Sequence, residues 1–223
     1  MVGHDNPVCA GHDGPGTASE FPIVAAPIEF YFEFASPYGY LASLRIDAIA
    51  AAYDREVTWR PIMLGAAFKL VGGGPNMNLP LKGPYLLHDA PRCARLLDVP
   101  FTLPPVMPCN SLAASRAFWW LDAEDPDMAK GFAQAVYHAH WGEGRDISTA
   151  GQVAEIGAGL GLDPTALIAA TQDPAIKDRL KAETDRSLER GVFGSPFVFV
   201  DGEPFWGADR LDQVERWLAT GGW

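Results

Sequence analysis

Cysteine is scarce: Cys9, Cys93 and Cys109 are the only three in 223 residues. Three cannot all pair with one another, and no two stand in a C-x-x-C arrangement. A disulfide scaffold, a zinc knuckle and a dithiol redox centre are therefore disfavoured, and a reducing, cytoplasmic compartment is expected. Basic residues are also few, with 17 Lys plus Arg against 28 Asp plus Glu and a formal charge of −11. That balance argues against a nucleic-acid partner, which needs a basic face to release phosphate counterions, and against docking on anionic membranes. No uninterrupted apolar run approaches the roughly 20 residues that span a bilayer. What the chain does have is 48% hydrophobic and 20% charged residues. This is enough to bury the core of one large domain, or of a small domain carrying an insertion.

Residues 1–27 contain no Lys or Arg, are rich in Gly, Pro, Asp and His, and show neither helical nor strand periodicity. They lack the basic start and apolar stretch of a secretory signal and read as a loosely ordered tail or an expression remnant. The remaining body holds 25 acids against 17 bases, so the acidity belongs to it as well.

Order begins at Ile28. In IEFYFEF, Ile28, Phe30, Phe32 and Phe34 alternate with Glu29, Tyr31 and Glu33, the period of a strand with one strongly apolar face. Ser36-Pro37 then opens a helix, Ser as N-cap and Pro at the first helical position, with Leu41, Leu44, Ala48, Ile49 and Ala52 at helical spacing. A second strand is predicted near Val57 to Ile62, completing a βαβ unit. From about Leu64 to Arg190 strand signals disappear. Loops are expected at Gly72 to Pro84 and Val99 to Pro108, and helices at about Ser111–Leu121 and Pro126–Trp141. Asp163-Pro164 and Asp173-Pro174 start two more, and Gly191 ends the last. Pro196–Val200 is a strand, Asp201-Gly202 a hairpin turn and Glu203–Trp206 the return strand. Asp209 is expected to cap a final helix carrying Leu211, Val214 and Leu218.

The order β-α-β, helical block, β-β-α is the layout of a thioredoxin-like fold. It divides the chain into the tail 1–27, a thioredoxin-like α/β domain from 28–63 and 192–223, and an inserted all-helical domain at 64–191. Chemistry in that layout sits where the first strand meets the first helix, because the helix start presents unpaired N–H groups and partial positive charge. Here that point carries Ser36-Pro37-Tyr38-Gly39. Ser36 is either a bare N-cap or a hydroxyl donor at an anion site that would lower the pKa of a bound external thiol. Ser195-Pro196 is either punctuation before a strand or, if its bond is cis, an edge whose Ser195 N–H and C=O hold a peptide-like ligand by strand addition.

The segments FYFEFASPYGYLAS, LKGPYLLHDAPR, PCNSLAASRA, HWGEGRDIS and GVFGSPFVFVDGEPFWGADRL together resemble the 2-hydroxychromene-2-carboxylate isomerase family. That family lies in the DsbA-like branch of the thioredoxin superfamily and is related to kappa-class glutathione transferases. The resemblance runs from Ile28 to Leu218. It implies a bound glutathione with its sulfur against Ser36, a main-chain clamp from Ser195 ahead of Pro196, and γ-glutamyl contacts from Ala208 and Asp209. It further implies a Lys82 that pairs with a glutathione carboxylate, and Tyr38 and Asn110 on the side of a small aromatic substrate. A homodimer is implied too. One departure stands out: a family asparagine falls near Gly73, with Asn76 three residues later, so the loop is rearranged or Asn76 takes over. Asn110 also suits an Asx-type cap, and Asp209 a plain N-cap.

The activity implied is a glutathione-dependent cis-trans isomerisation of an aromatic ring-fission product. The alternatives are a kappa-class-like glutathione transferase and a redox-inactive, thioredoxin-like peptide-binding module. Weaker signals are read structurally. His138 and His140 are two apart and do not form a metal site, and Gly72-Gly73-Gly74 lacks the Lys-Ser/Thr of a phosphate loop. Trp119, Trp120 and Trp141 belong to core or interface, and Cys109 is a buried or semi-buried thiol.

Overall fold

The computed structural model describes residues 26–223, so most of the segment read as a tail lies outside the described residues. Four strands, β1 (Ile28–Phe32), β2 (Val57–Pro61), β3 (Phe197–Val200) and β4 (Glu203–Trp206), form one sheet in the order β2-β1-β3-β4. β1 runs parallel to β2, with Ile28 opposite Val57, and antiparallel to β3, with Tyr31 opposite Phe197. β3 and β4 form the hairpin expected at Asp201-Gly202, and both turn residues have positive φ, 53° and 91°.

Because β1 is central, both its faces are covered, and the expectation of a single apolar face is too narrow. Phe30 and Phe32 point into the main core with Trp59, Phe118, Phe132 and Tyr137, while Tyr31 joins Ile62, Val192, Phe197 and Phe199 on the other side. The aromatic rings of the main core meet mostly edge-on, Phe30 to Trp59 at 5.0 Å and Phe32 to Phe118 at 5.7 Å between centroids. Such edge contacts add to what burial alone provides.

The helix expected after Ser36 is two helices, α1 (Pro37–Ser43) and α2 (Ile46–Ala51). Ser43 Oγ donates back to the Tyr40 carbonyl at 2.7 Å, and Arg45 N donates to Ala42 O at 3.0 Å, tightening the turn where the ladder breaks. The break rotates the face, so Leu44, Ala48 and Ala52, expected at helical spacing with Leu41 and Ile49, are exposed.

Seven helices follow between β2 and β3: α3 (Leu64–Val71), α4 (Lys82–Leu96), α5 (Leu112–Asp122), α6 (Pro126–Tyr137), α7 (Ala150–Ala158), α8 (Pro164–Gln172) and α9 (Pro174–Glu189). The loop expected to last until Pro84 ends earlier, since α4 begins at Lys82 and accommodates Pro84 in its first turn, where an N–H is not needed. The helix expected over 126–141 stops at Tyr137 and continues as a π turn, His138–Gly142. Asp125, Asp163 and Asp173 each cap a helix that has Pro at its start. The last helix, α10 (Leu211–Thr220), is preceded by a 3₁₀ turn, Ala208–Arg210.

Candidate active site

The ladder of β1 ends at Phe32, which leaves the next two carbonyls without strand partners. Tyr137 Oη donates to Glu33 O at 3.0 Å, Trp141 Nε1 donates to Phe34 O at 2.9 Å, and Ser36 N also reaches Glu33 O at 2.9 Å. Aromatic side chains from α6 and the π turn thus satisfy and fix the turn between β1 and α1. Glu33 itself is fully buried: Leu64 N donates to its Oε2 at 3.1 Å and the Ser111 hydroxyl to its Oε1. Burial pushes its carboxyl above the usual range despite those donors.

Ser36 stands at the N-cap of α1, where its Oγ accepts from Gly39 N at 3.0 Å and donates to Ser195 O at 2.8 Å. The Ser195-Pro196 bond is cis, and Ser195 Oγ accepts from Glu33 N at 2.9 Å. First helix and cis-proline loop are therefore locked together at the serine pair singled out in the sequence. The Ser195 N–H donates to no acceptor among the described residues. Gly39 is required here, since a Cβ would lie 2.4 Å from Tyr137 Oη and 2.8 Å from Ser195 Oγ.

Beside this turn lies a groove of about 460 Å³ lined by Tyr38, Asn76, Leu81, Lys82, Tyr85, Leu86 and Trp206. Tyr38, Asn76 and Lys82 are thereby brought together. Asn76 belongs to a short 3₁₀ turn, Asn76–Asn78, that packs on the start of α4 so closely that a Cβ on Gly83 would sit 2.2 Å from Met77 O. Gly73, the position of the family asparagine, is exposed in the connection after α3. Tyr38 Oη donates to Asp89 Oδ2 at 2.6 Å, so its hydroxyl proton is committed within the protein. Burial and that carboxylate together push the phenol well up.

Asp209 is not the N-cap of the last helix. It lies inside the 3₁₀ turn, Arg210 occupies the cap position of α10, and the Asp209 carboxylate is exposed and pairs with Arg210 at 2.9 Å. The positive φ of Gly207, 117°, turns the chain before the expected cap is reached. Ala208 packs partly buried against the core. Asn110 is exposed and accepts from Leu112 N at 3.2 Å, the Asx geometry, and it does not line the groove. Cys109 is buried, its thiol pushed up to about 12 by burial and the nearby Glu33. It is a poor nucleophile.

Four groove residues escaped the sequence reading: Leu81, Leu86, Trp206 and Tyr85. Trp206 lies over Gly194, where a Cβ would come within 2.2 Å of its indole nitrogen, and half its surface remains exposed to the groove. Tyr85 stands one turn after Lys82 on α4. The glycine ahead of Ser195-Pro196 was the available signal for Trp206, but what fills its empty side is fixed only by the hairpin's return. Among the described residues no helix is long and apolar enough to cross a membrane, and no cluster of His, Cys, Asp and Glu could hold a metal ion.

The chain matches the DSBA-like thioredoxin domain family over residues 27–219. It is 34% identical over 194 residues to the 2-hydroxychromene-2-carboxylate isomerase of Sphingobium xenophagum, covering 86% of this chain and 97% of that protein. The protein of the same name from Pseudomonas putida is 32% identical, over 84% of this chain and 92% of its own length. A kappa 2 glutathione S-transferase of Caenorhabditis elegans is 25% identical over 86% and 91% of the two chains. A solved 2-hydroxychromene-2-carboxylate isomerase superposes with a TM-score of 0.79 at 30% identity, over 87% of this chain and 95% of that one. Coverage of more than four fifths of this chain and nine tenths of those proteins at this identity makes the chain an isomerase that belongs to the 2-hydroxychromene-2-carboxylate isomerase family, within the DSBA-like thioredoxin fold.

Proposed function

We propose that this isomerase uses bound glutathione as a catalytic thiol to interconvert a 2-hydroxychromene-2-carboxylate-type ring-fission product and its trans-o-hydroxybenzylidenepyruvate form, in aromatic hydrocarbon catabolism. A cytoplasmic homodimer is part of the same reading. The observation that carries it is the Ser36 hydroxyl, held by Gly39 N and Ser195 O at the head of α1, where a redox relative would carry a cysteine. When bound, glutathione supplies a thiolate that adds to an unsaturated carbon of the substrate and leaves again after rotation about the resulting single bond.

The chain's own residues fit a tripeptide. The unpaired Ser195 N–H and the Ser195 carbonyl form an edge that a peptide can join by strand addition. Ser36 then changes partner: its O–H turns from Ser195 O toward the sulfur, and the freed carbonyl accepts from the peptide's N–H. No hydrogen-bonding group is left unmatched by the exchange. Lys82, exposed at the first position of α4, offers its ammonium to a carboxylate, and Asn76 beside it offers amide donors. Asp209, free of the capping role, offers its carboxylate to the γ-glutamyl ammonium. Tyr38 presents its ring to an aromatic substrate, because its hydroxyl is engaged by Asp89. Asn110 has its side-chain oxygen occupied by Leu112 N and would meet the substrate only through its amide N–H groups.

Glutathione titration by calorimetry, with thiolate absorbance followed against pH, tests this on wild type and Ser36→Ala. The expected result is a larger rise in apparent thiol pKa than loss of affinity, because Ser195, Lys82, Asn76 and Asp209 would still hold the rest of the tripeptide. Equal absorbance–pH curves would remove Ser36 from the mechanism. Many substrate turnovers per thiol mark isomerisation, whereas stoichiometric thiol loss marks the kappa-type transferase reaction. Peptide affinity indifferent to Ser36→Ala, with no thermal shift on adding glutathione, marks the binding module.

A further inference from the structure

The face of α4 that looks onto the groove carries Lys82, Tyr85 and Asp89, at spacings of three and seven residues, so they lie in one row along the helix. Asp89 is buried, with 9% of its surface exposed, and is the hub of a side-chain cluster. Its Oδ2 accepts from Tyr38 Oη at 2.6 Å and its Oδ1 from Tyr85 Oη at 3.2 Å; Arg92 forms an ion pair with Oδ1, and Cys93 Sγ lies 3.6 Å from Oδ2. Tyr38 is two residues after Ser36 on α1. The Tyr38–Asp89 hydrogen bond therefore ties the helix that begins at the serine to the helix that begins at the lysine.

The contacts at the start of α4 are local ones, Gly83 N donating to Leu79 O at 2.9 Å and Met77 O packed against Gly83. No side chain caps the helix, and Leu81 before it has φ 67° and ψ −45°, with Lys82 N donating to Pro80 O at 2.8 Å. This is a γ-turn of positive φ, rare and strained for a side-chain-bearing residue. None of these local contacts reaches α1; among the described residues the Tyr38–Asp89 bond is the side-chain hydrogen bond that joins the two helices.

We infer that Asp89 is a positioning residue: through Tyr38 it sets the distance and rotation of α4 against α1, and so places Lys82 opposite Ser36. The inference rests on the reading that Lys82 pairs with a glutathione carboxylate. It gives Tyr38 and the Asp89 cluster a purpose that neither has as mere groove lining. Arg92 serves the same end, neutralising Asp89 so that a carboxylate can stand near an anion site without repelling its ligand. Asp89 itself is the ionised partner: burial raises its carboxyl, but donors from Tyr38, Arg92 and Tyr85 outweigh that and hold it below the ordinary range.

The test is a set of mutant cycles on the full chain, combining Tyr38→Phe, Asp89→Asn and Lys82→Met, with isomerisation kinetics at varied glutathione and calorimetric glutathione binding. Asp89→Asn and Tyr38→Phe are each expected to raise the KM for glutathione roughly 3- to 10-fold with little change in kcat, and the pair together no more than the larger single effect. Asp89 and Lys82 lie two helical turns apart. Nevertheless, Asp89→Asn introduced into Lys82→Met is expected to have no further effect on KM. A purely structural Asp89 predicts instead a lower melting temperature and effects that multiply in the Lys82→Met background; that result overturns the inference while leaving the glutathione reading intact. If Asp89→Asn does not fold, Tyr38→Phe in the Lys82→Met background decides the same question. A wild type with no glutathione binding and no thiol dependence overturns both.

Discussion

Ser36 uses its hydroxyl twice, accepting from Gly39 N and donating to Ser195 O, and its neighbours are arranged so that no bulk intrudes on that pair. Gly39 is the tightest case. Its missing Cβ would meet the Tyr137 hydroxyl, which is buried and already bonded to Glu33 O, and the Ser195 hydroxyl, which is bonded to Glu33 N. The Ser195 oxygen cannot retreat without unpairing Glu33 N, nor the Tyr137 oxygen without stranding its own buried hydroxyl. Gly39→Ala is therefore expected to cost about 2 kcal/mol or more by urea denaturation. Gly131, on α6 with nothing within 4 Å of its missing Cβ, supplies the contrast: Gly131→Ala is expected to stabilise by about 0.5–1 kcal/mol through helix propensity alone. Equal effects at the two glycines would mean that the Ser36 turn tolerates displacement. Ser36, Ser195 and Pro196 were legible in the sequence because a Ser-Pro pair has few local uses. Trp206 was not, since its place over Gly194 depends on the twist and register of a hairpin rather than on neighbouring residues.

At the scale of elements, legibility followed local capping chemistry. Asp163-Pro164, Asp173-Pro174 and Asp201-Gly202 signal a helix start or a turn through contacts within three residues, and each formed as expected. The start of α4 was unreadable for the opposite reason. Leu81 is a leucine in a conformation that suits glycine, the helix has no cap, and the stabilising contact is Met77 O against Gly83 from a separate turn. Asp209 failed in the same way, because the φ of Gly207 inserted a 3₁₀ turn where a simple cap was expected. Leu81 is also 87% exposed, so its side chain contributes little packing to offset its backbone strain. Leu81→Gly is expected to leave stability unchanged or raise it by up to about 1 kcal/mol, relief of strain outweighing the entropy glycine adds to the unfolded chain. Leu96→Gly, equally exposed at the end of α4 but in helical conformation, is expected to lose about 0.5–1 kcal/mol. Thermal melts of the two variants check the sign difference.

For the molecule as a whole, the point of union between sheet and helices is Glu33. Its carboxyl group binds the first residue of α3 and the N-cap residue of α5, its carbonyl takes Tyr137 from α6, and its N–H holds the cis-proline loop. A fully buried acid at such a junction makes global stability sensitive to pH. Its folded-state pKa lies above the ordinary 4.5 because burial penalises the charge, so between 4.5 and that raised value the native state binds more protons than the unfolded one. The stability it contributes is fully present below 4.5 and is lost as pH rises through the raised value, by up to about 1.4 kcal/mol per pH unit within the window. Glu29, Asp89 and Asp146 have lowered values and act only at the acid end, where their stabilisation is lost as pH falls. His140 opposes Glu33: burial holds it below 6.5, so its stabilising effect is lost as pH falls through that region. Comparing wild type with Glu33→Gln cancels these other groups. The amide leaves one buried donor to be satisfied and so introduces a constant cost, but it removes the titration. The gap in melting temperature between Glu33→Gln and wild type is therefore expected to shift in favour of the variant from pH 5 to pH 8. A gap that stays constant across that range would mean that Glu33 is ionised in the fold at pH 5 already, with Ser111 and Leu64 sufficient to solvate it.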